Sequence, residues 1–159
     1  LDGGGQEQGL RAGTLPVPLC VGMGEAAALS GAEIEDEVPR ITALREKFLI
    51  TMLSKFPGTV VNGTLEKRIA GNLNLYFPRV NAENLLTELK GVAISTGAAC
   101  ASNSKEPSYV LRAMGMTKEE IDGSVRIGFG RFTTEEDVDR ASEMIVAGIQ
   151  KQPDQRIIS

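Results

Sequence analysis

Between Thr117 and Thr133 the chain can fold in few ways. Thr117 with Glu120, and Thr133 with Glu136, each set a hydroxyl and a carboxylate three residues apart, the pattern in which two side chains satisfy each other's orphan backbone amides at a helix start. Between these starts Val125, Ile127 and Phe129 alternate with Ser124, Arg126 and Gly128, so a strand there has one apolar and one polar face. Beyond the second box, Val138, Ala141, Ile145 and Ile149 recur at helical spacing and predict a last helix that packs back on the sheet.

The rest of the chain extends this reading. Leu1 to Pro18 is rich in glycine and proline and reads as loop, and Leu19 to Leu29 is Ala-rich and predicts a helix. Ile34, Val38, Ile41, Leu44, Phe48, Met52 and Phe56 keep helical spacing. Pro39 lies within that set and either starts the main helix or kinks it. Gly58 and Gly63 bracket a short strand at Val60 and Val61, and Leu73, Leu75 and Phe77 alternate as a second strand. Asn81 can cap a helix whose Leu85, Leu86 and Leu89 face inward until Gly91 ends it. Val92 and Ile94 suggest another short strand, and Pro107 to Met114 a helix with Pro in its first turn, closed by Gly115. The expected fold is α/β, helices over a small, largely antiparallel sheet without internal repeats, following an N-terminal loop and helix (1–29) that belong to another domain.

Composition narrows the classes. With 42% apolar and 24% charged residues in 159, the chain can bury one modest core. Its net charge of −4 argues against nucleic-acid binding. No run approaches a membrane span, and LDGGGQEQG has neither the basic start nor the apolar centre of a signal peptide; the beginning reads as a cut. Two cysteines without any histidine form no zinc framework and no persuasive disulfide, so no metal site is expected within the chain and a reducing cytoplasm is the simplest setting. The acidic runs Glu35–Glu37 and Glu135–Asp137 suit helix starts through the helix dipole and are assigned no catalysis.

Cys100 is the residue that raises a question of chemistry. It sits in GAACASNS, a run of small side chains that offers almost no apolar surface to pin it. Such a thiol is either a small packing residue or a nucleophile, and spacing does not decide which. Arg126 is equally open, as a salt-bridging arginine or as a guanidinium fork for a carboxylate. Thr14 suits a turn or cap. Cys20, in the apolar run LPVPLCVGM, reads as packing.

Three segments decide among these alternatives by likeness. STGAACASNSKEPSYVLRAMG, GGGQEQGLRAGTLPVP and SVRIGFGRFTTEEDVD resemble, in order, the active-site segment, the cofactor and dimer-interface stretch, and the C-terminal strand and helix of NifS/IscS-type cysteine desulfurases. These are class V aminotransferase-like enzymes that depend on pyridoxal 5'-phosphate (PLP). The resemblance implies the C-terminal small domain of a PLP fold-type I enzyme over 30–159, with 1–29 closing the large PLP-binding domain. It implies that Cys100 is the nucleophile that takes sulfur from L-cysteine as a persulfide and leaves L-alanine, and that Arg126 binds the substrate carboxylate. Asn72 matches a polar position near the family's site, and Thr14 matches the position whose hydroxyl reaches the PLP phosphate of the other subunit in a homodimer. The family's Schiff-base lysine and its ring-stacking histidine have no counterpart in this sequence, so the chain alone is expected to be inactive without an N-terminal PLP domain. The implied sulfur acceptor is an iron–sulfur scaffold protein, with which Cys100 can contact a cluster. A non-catalytic sulfur-carrier or interaction module, and lyase chemistry on selenocysteine, are the competing readings.

Overall fold

The computed structural model describes residues 3–96 and 108–153. A 3-10 turn at Gln6–Gly9 precedes helix α1 (Val17–Lys55), strands β1 (Val60–Val61) and β2 (Asn72–Tyr76), the short helices α2 (Ala82–Glu88), α3 (Tyr109–Ala113) and α4 (Lys118–Asp122), strand β3 (Ser124–Gly128) and helix α5 (Glu135–Gln150). The chain divides into two compact units, Leu1–Glu37 and Val38–Ser159. No helix among the described residues is long and apolar enough to cross a membrane.

In the first unit a loop is tied by Arg11, whose Nη1 donates to the carbonyls of Gly13 and Thr14 at 3.0 and 3.1 Å, and by Gln6, whose Oε1 accepts from the Gly13 amide at 3.1 Å. None of its described residues is buried; Leu19 is 72% and Met23 77% exposed. Cys20 is exposed as well, which corrects its reading as a packing residue. Helix α1 begins at Val17, two residues earlier than expected, because the Pro16 carbonyl already accepts from the Leu19 and Cys20 amides. Pro18 then falls in the first turn, where a missing amide hydrogen is harmless. Pro39 lies inside α1 and does not start it.

The second unit is built on a three-stranded sheet in the order β1-β2-β3, antiparallel throughout. Leu73 pairs with Ile127 and Leu75 with Val125. These four are buried with Ile41, Leu44, Phe48 and Met52 of α1 and Val138, Ile145 and Ile149 of α5. Phe48 meets Phe129, and Phe56 meets Phe77, edge to face at 5.7 and 5.9 Å, the geometry that aligns ring edge with ring face. Burying each such side chain contributes about 1.5–3 kcal/mol before conformational entropy is counted. The core is therefore what holds these elements together.

Two glycines permit the close approaches this core needs. A Cβ on Gly71 would collide with the Phe129 carbonyl oxygen, and the Gly71 carbonyl accepts the Phe129 amide at 2.8 Å. A Cβ on Gly148 would lie 2.8 Å from Leu85 Cδ1, so glycine lets α5 sit against α2. Gln152 completes that contact: its Oε1 accepts the Asn81 amide at 2.9 Å while its Nε2 donates to the Asn81 carbonyl at 3.0 Å. Asn81 caps α2 as expected, accepting from the Asn84 amide.

Three local expectations shift. The Thr117–Glu120 box is present at α4, but the second box is Thr134–Asp137, one residue later than Thr133–Glu136. Thr133 is used elsewhere: its hydroxyl accepts the Gly130 amide at 2.9 Å and closes a turn, and Arg40 donates to the carbonyls of Arg131 and Thr133 at 2.6 and 2.9 Å. Val92 and Ile94 form no strand, since only Ser95 pairs with β3, as an isolated bridge to Arg126. One paired residue is too short for a ladder. Helix α3 is capped by Ser108 and runs to Ala113, with Gly115 beyond it at φ +82°; Pro107 lies outside the described residues.

Candidate functional site

Strand alternation puts Asn72, Asn74 and Tyr76 of β2 on the sheet face opposite the core, and register sets Asn74 beside Arg126 and Tyr76 beside Ser124. A cavity of about 640 Å³ opens on this face, within the range of about 300–1,000 Å³ typical of small-molecule sites. Asn62, Lys67, Arg68, Asn72, Asn74 and Arg126 supply its polar lining, and Tyr109 and Met114 of the α3 segment add apolar wall.

The floor is held by amides. Asn62 Nδ2 donates to Asn74 Oδ1 at 2.7 Å and to Ser124 Oγ at 2.8 Å, and the Ser124 hydroxyl donates to the Glu120 carbonyl at 2.6 Å. Asn62 and Ser124 are buried, so these bonds replace the water both would lose. Burial first, then the charges of Glu119 and Glu120, push the Tyr76 phenol above its ordinary value and keep it protonated.

Arg126 projects from β3 with its side chain exposed and without a hydrogen-bond or ion-pair partner among the described residues. Its backbone is fixed instead: the Arg126 amide donates to the Ser95 carbonyl at 2.6 Å, and its carbonyl accepts the Ser95 amide at 3.1 Å. A fork mounted on a paired strand and free of a carboxylate can take an external one in two parallel hydrogen bonds. Asn72 lines the same cavity, so two of the residues singled out in the sequence come together there. Cys100 lies outside the described residues. Ser95 pairs with Arg126, and Ser108 lines the cavity; these two residues flank the segment that carries Cys100. Thr14 belongs to the first unit, where it is exposed and its carbonyl accepts from Arg11.

Sequence reasoning did not single out Asn62, Asn74, Lys67 or Arg68. Asn74 was readable as the polar step between Leu73 and Leu75. The other three reach the cavity through the β1–β2 loop, which carries no periodic signal.

The chain matches the aminotransferase class-V model over residues 4–141. It is 48% identical over 151 residues to cysteine desulfurase IscS of Ehrlichia chaffeensis, covering 95% of this chain and 37% of that protein. Likeness to cysteine desulfurase IscS of Rickettsia typhi is 45% over 151 residues, with the same shares covered. Among solved structures, a NifS-like protein from Rickettsia africae superimposes with a TM-score of 0.80 at 27% identity, covering 93% of this chain and 39% of that one. The chain thus spans about 37% of the length of the curated relatives it matches.

Proposed function

We infer the function from one premise: the chain belongs to the aminotransferase class-V family. On it we propose that the chain is the C-terminal small domain of a PLP-dependent cysteine desulfurase, with residues 30–159 forming that domain and 1–29 going with the large one. The observation that carries the reading is Arg126, a strand-mounted guanidinium without a counter-charge among the described residues, in a cavity beside the flanks of the Cys100 segment.

In this reading Arg126 holds the carboxylate of L-cysteine, and Asn72 adds a neutral hydrogen-bonding group beside it. Cys100 attacks the substrate sulfur as a thiolate; an S–S bond forms, the substrate C–S bond breaks, and alanine leaves with a persulfide on Cys100. Cys100 lies five positions after Ser95, a reach of at most about 18 Å, so the chain length allows the thiol to come to the cavity. Thr14 fits a phosphate: its hydroxyl is exposed and has no partner among the described residues, so it would hold the PLP phosphate across a homodimer. PLP, when bound, supplies the electron sink at the substrate's α-carbon. The persulfide passes to an iron–sulfur scaffold protein in the cytoplasm.

The test joins this chain to the N-terminal portion of the Ehrlichia chaffeensis relative and follows PLP absorbance, alanine release and protein-bound sulfur. Cys100→Ala should abolish protein-bound sulfur while PLP absorbance persists. Alanine release at an undiminished rate in that variant would assign the attack to another group. Sulfur uptake on Cys100 from a donor persulfide, without any alanine, would favour a carrier module instead.

A further inference from the structure

The cavity on the polar face holds more positive charge than one carboxylate needs. Lys67, Arg68 and Arg126 line it, and no Asp or Glu does among the described residues. Arg126 has the fork for a single carboxylate. Arg68 is engaged differently: its Nε donates to the Thr64 carbonyl at 3.0 Å and its Nη2 to the Asn62 carbonyl, folding the β1–β2 loop onto the cavity wall, while its buried Nη1 has no partner. Lys67 gives its backbone amide to Thr64 Oγ1 at 3.1 Å, and its ammonium has no carboxylate among the described residues. Arg45 of α1 is only 5% exposed, and its buried Nε is likewise unpartnered. Burial first, then the charge of Arg45, push the Arg68 guanidinium below its ordinary value. Two guanidiniums partly withdrawn from water beside one another, as Arg45 and Arg68 are, are unfavourable until an anion joins them.

We propose that the β1–β2 loop forms a second anion subsite, centred on Arg68 and Lys67, that takes the distal carboxylate of a dicarboxylate whose other carboxylate is held by Arg126. This rests on the reading of Arg126 as a carboxylate site. A dicarboxylate so held spans the face from β3 to the loop and occupies Arg126, so it excludes an amino acid from the same cavity. Its chemical class is that of a competitive ligand of the substrate site.

The test titrates the 15N-labelled full chain at fixed ionic strength with acetate, glutarate and the neutral glutaramide. Glutarate should bind about tenfold more tightly than acetate, the gain expected of one added charge-assisted contact, and shift the side-chain signals of both Arg126 and Arg68. Arg68→Gln should bring the glutarate-to-acetate ratio to about one, and Arg68→Lys should keep part of the preference. Lys67 is exposed, so Lys67→Gln leaves the fold intact and decides the matter if the Arg68 variants do not fold; it should lower the ratio. Acetate binding at Arg126 with a ratio near one in the unaltered chain would overturn the second subsite and leave the Arg126 reading standing. Loss of acetate binding altogether would overturn the Arg126 reading itself. Equal binding of glutaramide and glutarate would remove the role of charge and overturn the proposal.

Discussion

One sheet carries two faces that share a backbone and little else. Leu73, Leu75, Val125 and Ile127 are buried on the face toward α1 and α5, while Asn72, Asn74 and Arg126 line an open cavity on the other. Each strand step changes face, so a residue and its neighbour meet different solvents. The apolar face is filled by side chains from three elements and supplies stability through burial. The polar face keeps the Arg126 charge without a counter-charge among the described residues and, in the reading proposed above, is where the substrate carboxylate binds. Stability and the proposed binding role are therefore separable by a single residue step along β2 or β3.

The largest effect expected is on the apolar face. Leu75→Ala should lower unfolding stability by about 2–5 kcal/mol, the transfer loss plus a cavity that neighbours refill poorly; urea denaturation checks it, and a loss under 1 would mean that the two faces are not divided as described. Arg126→Ala, on the other face, should cost about 2–3 kcal/mol of carboxylate binding and less than about 0.5 kcal/mol of stability. Acetate titration and urea denaturation of the same variant measure both, and a larger effect on stability than on binding would break the comparison.

Asn62→Ala probes the boundary, because this buried amide is structural yet lies beneath the cavity. It leaves Asn74 Oδ1 and Ser124 Oγ without their donor, and should cost about 1–3 kcal/mol of stability together with weaker acetate binding. Stability lost with binding intact would show that the amide floor does not position the cavity.

The smallest effect is pH dependence from the helix caps. The Thr117 backbone amide, then its hydroxyl, hold the Glu120 carboxyl below its ordinary value of 4.5, and the Thr134 amide and hydroxyl do the same to Asp137, below 3.8. A depressed carboxyl stabilises the fold above its unfolded value, and that contribution is lost as pH falls through the folded one. Stability should thus decline below about pH 4, and Glu120→Gln with Asp137→Asn should flatten that decline. Leu75→Ala should instead lower the whole curve. An unchanged acid slope in the cap variants would place the titrating groups elsewhere.

Local pattern made several elements legible. β1 between Gly58 and Gly63, β2 from the alternation of Leu73, Leu75 and Phe77, and β3 with Arg126 on its polar face all follow from steps of two. The Asn81 cap and the Thr117–Glu120 box follow from steps of three. Where several local solutions compete, the pattern loses force. Thr133 and Thr134 can each cap α5, and the choice of Thr134 comes from the turn that consumes Thr133 and from Arg40, distant in sequence, which binds that turn. Val92 and Ile94 have strand-forming side chains, but only Ser95 finds a partner on β3.

What the sequence determined by itself is the set of faces: which residues of each strand and helix are apolar together, and that Arg126 lies opposite the core. Backbone geometry repeats every two or 3.6 residues, so adjacent positions already contain that information. Only the tertiary structure decided that Lys67 and Arg68 share a cavity with Arg126, and that Ser95 and Ser108, which flank the Cys100 segment, meet the same region. Those meetings depend on antiparallel register and on a loop closed by Arg68 onto the carbonyls of Asn62 and Thr64. Such contacts join residues far apart in the chain, and no local period encodes them.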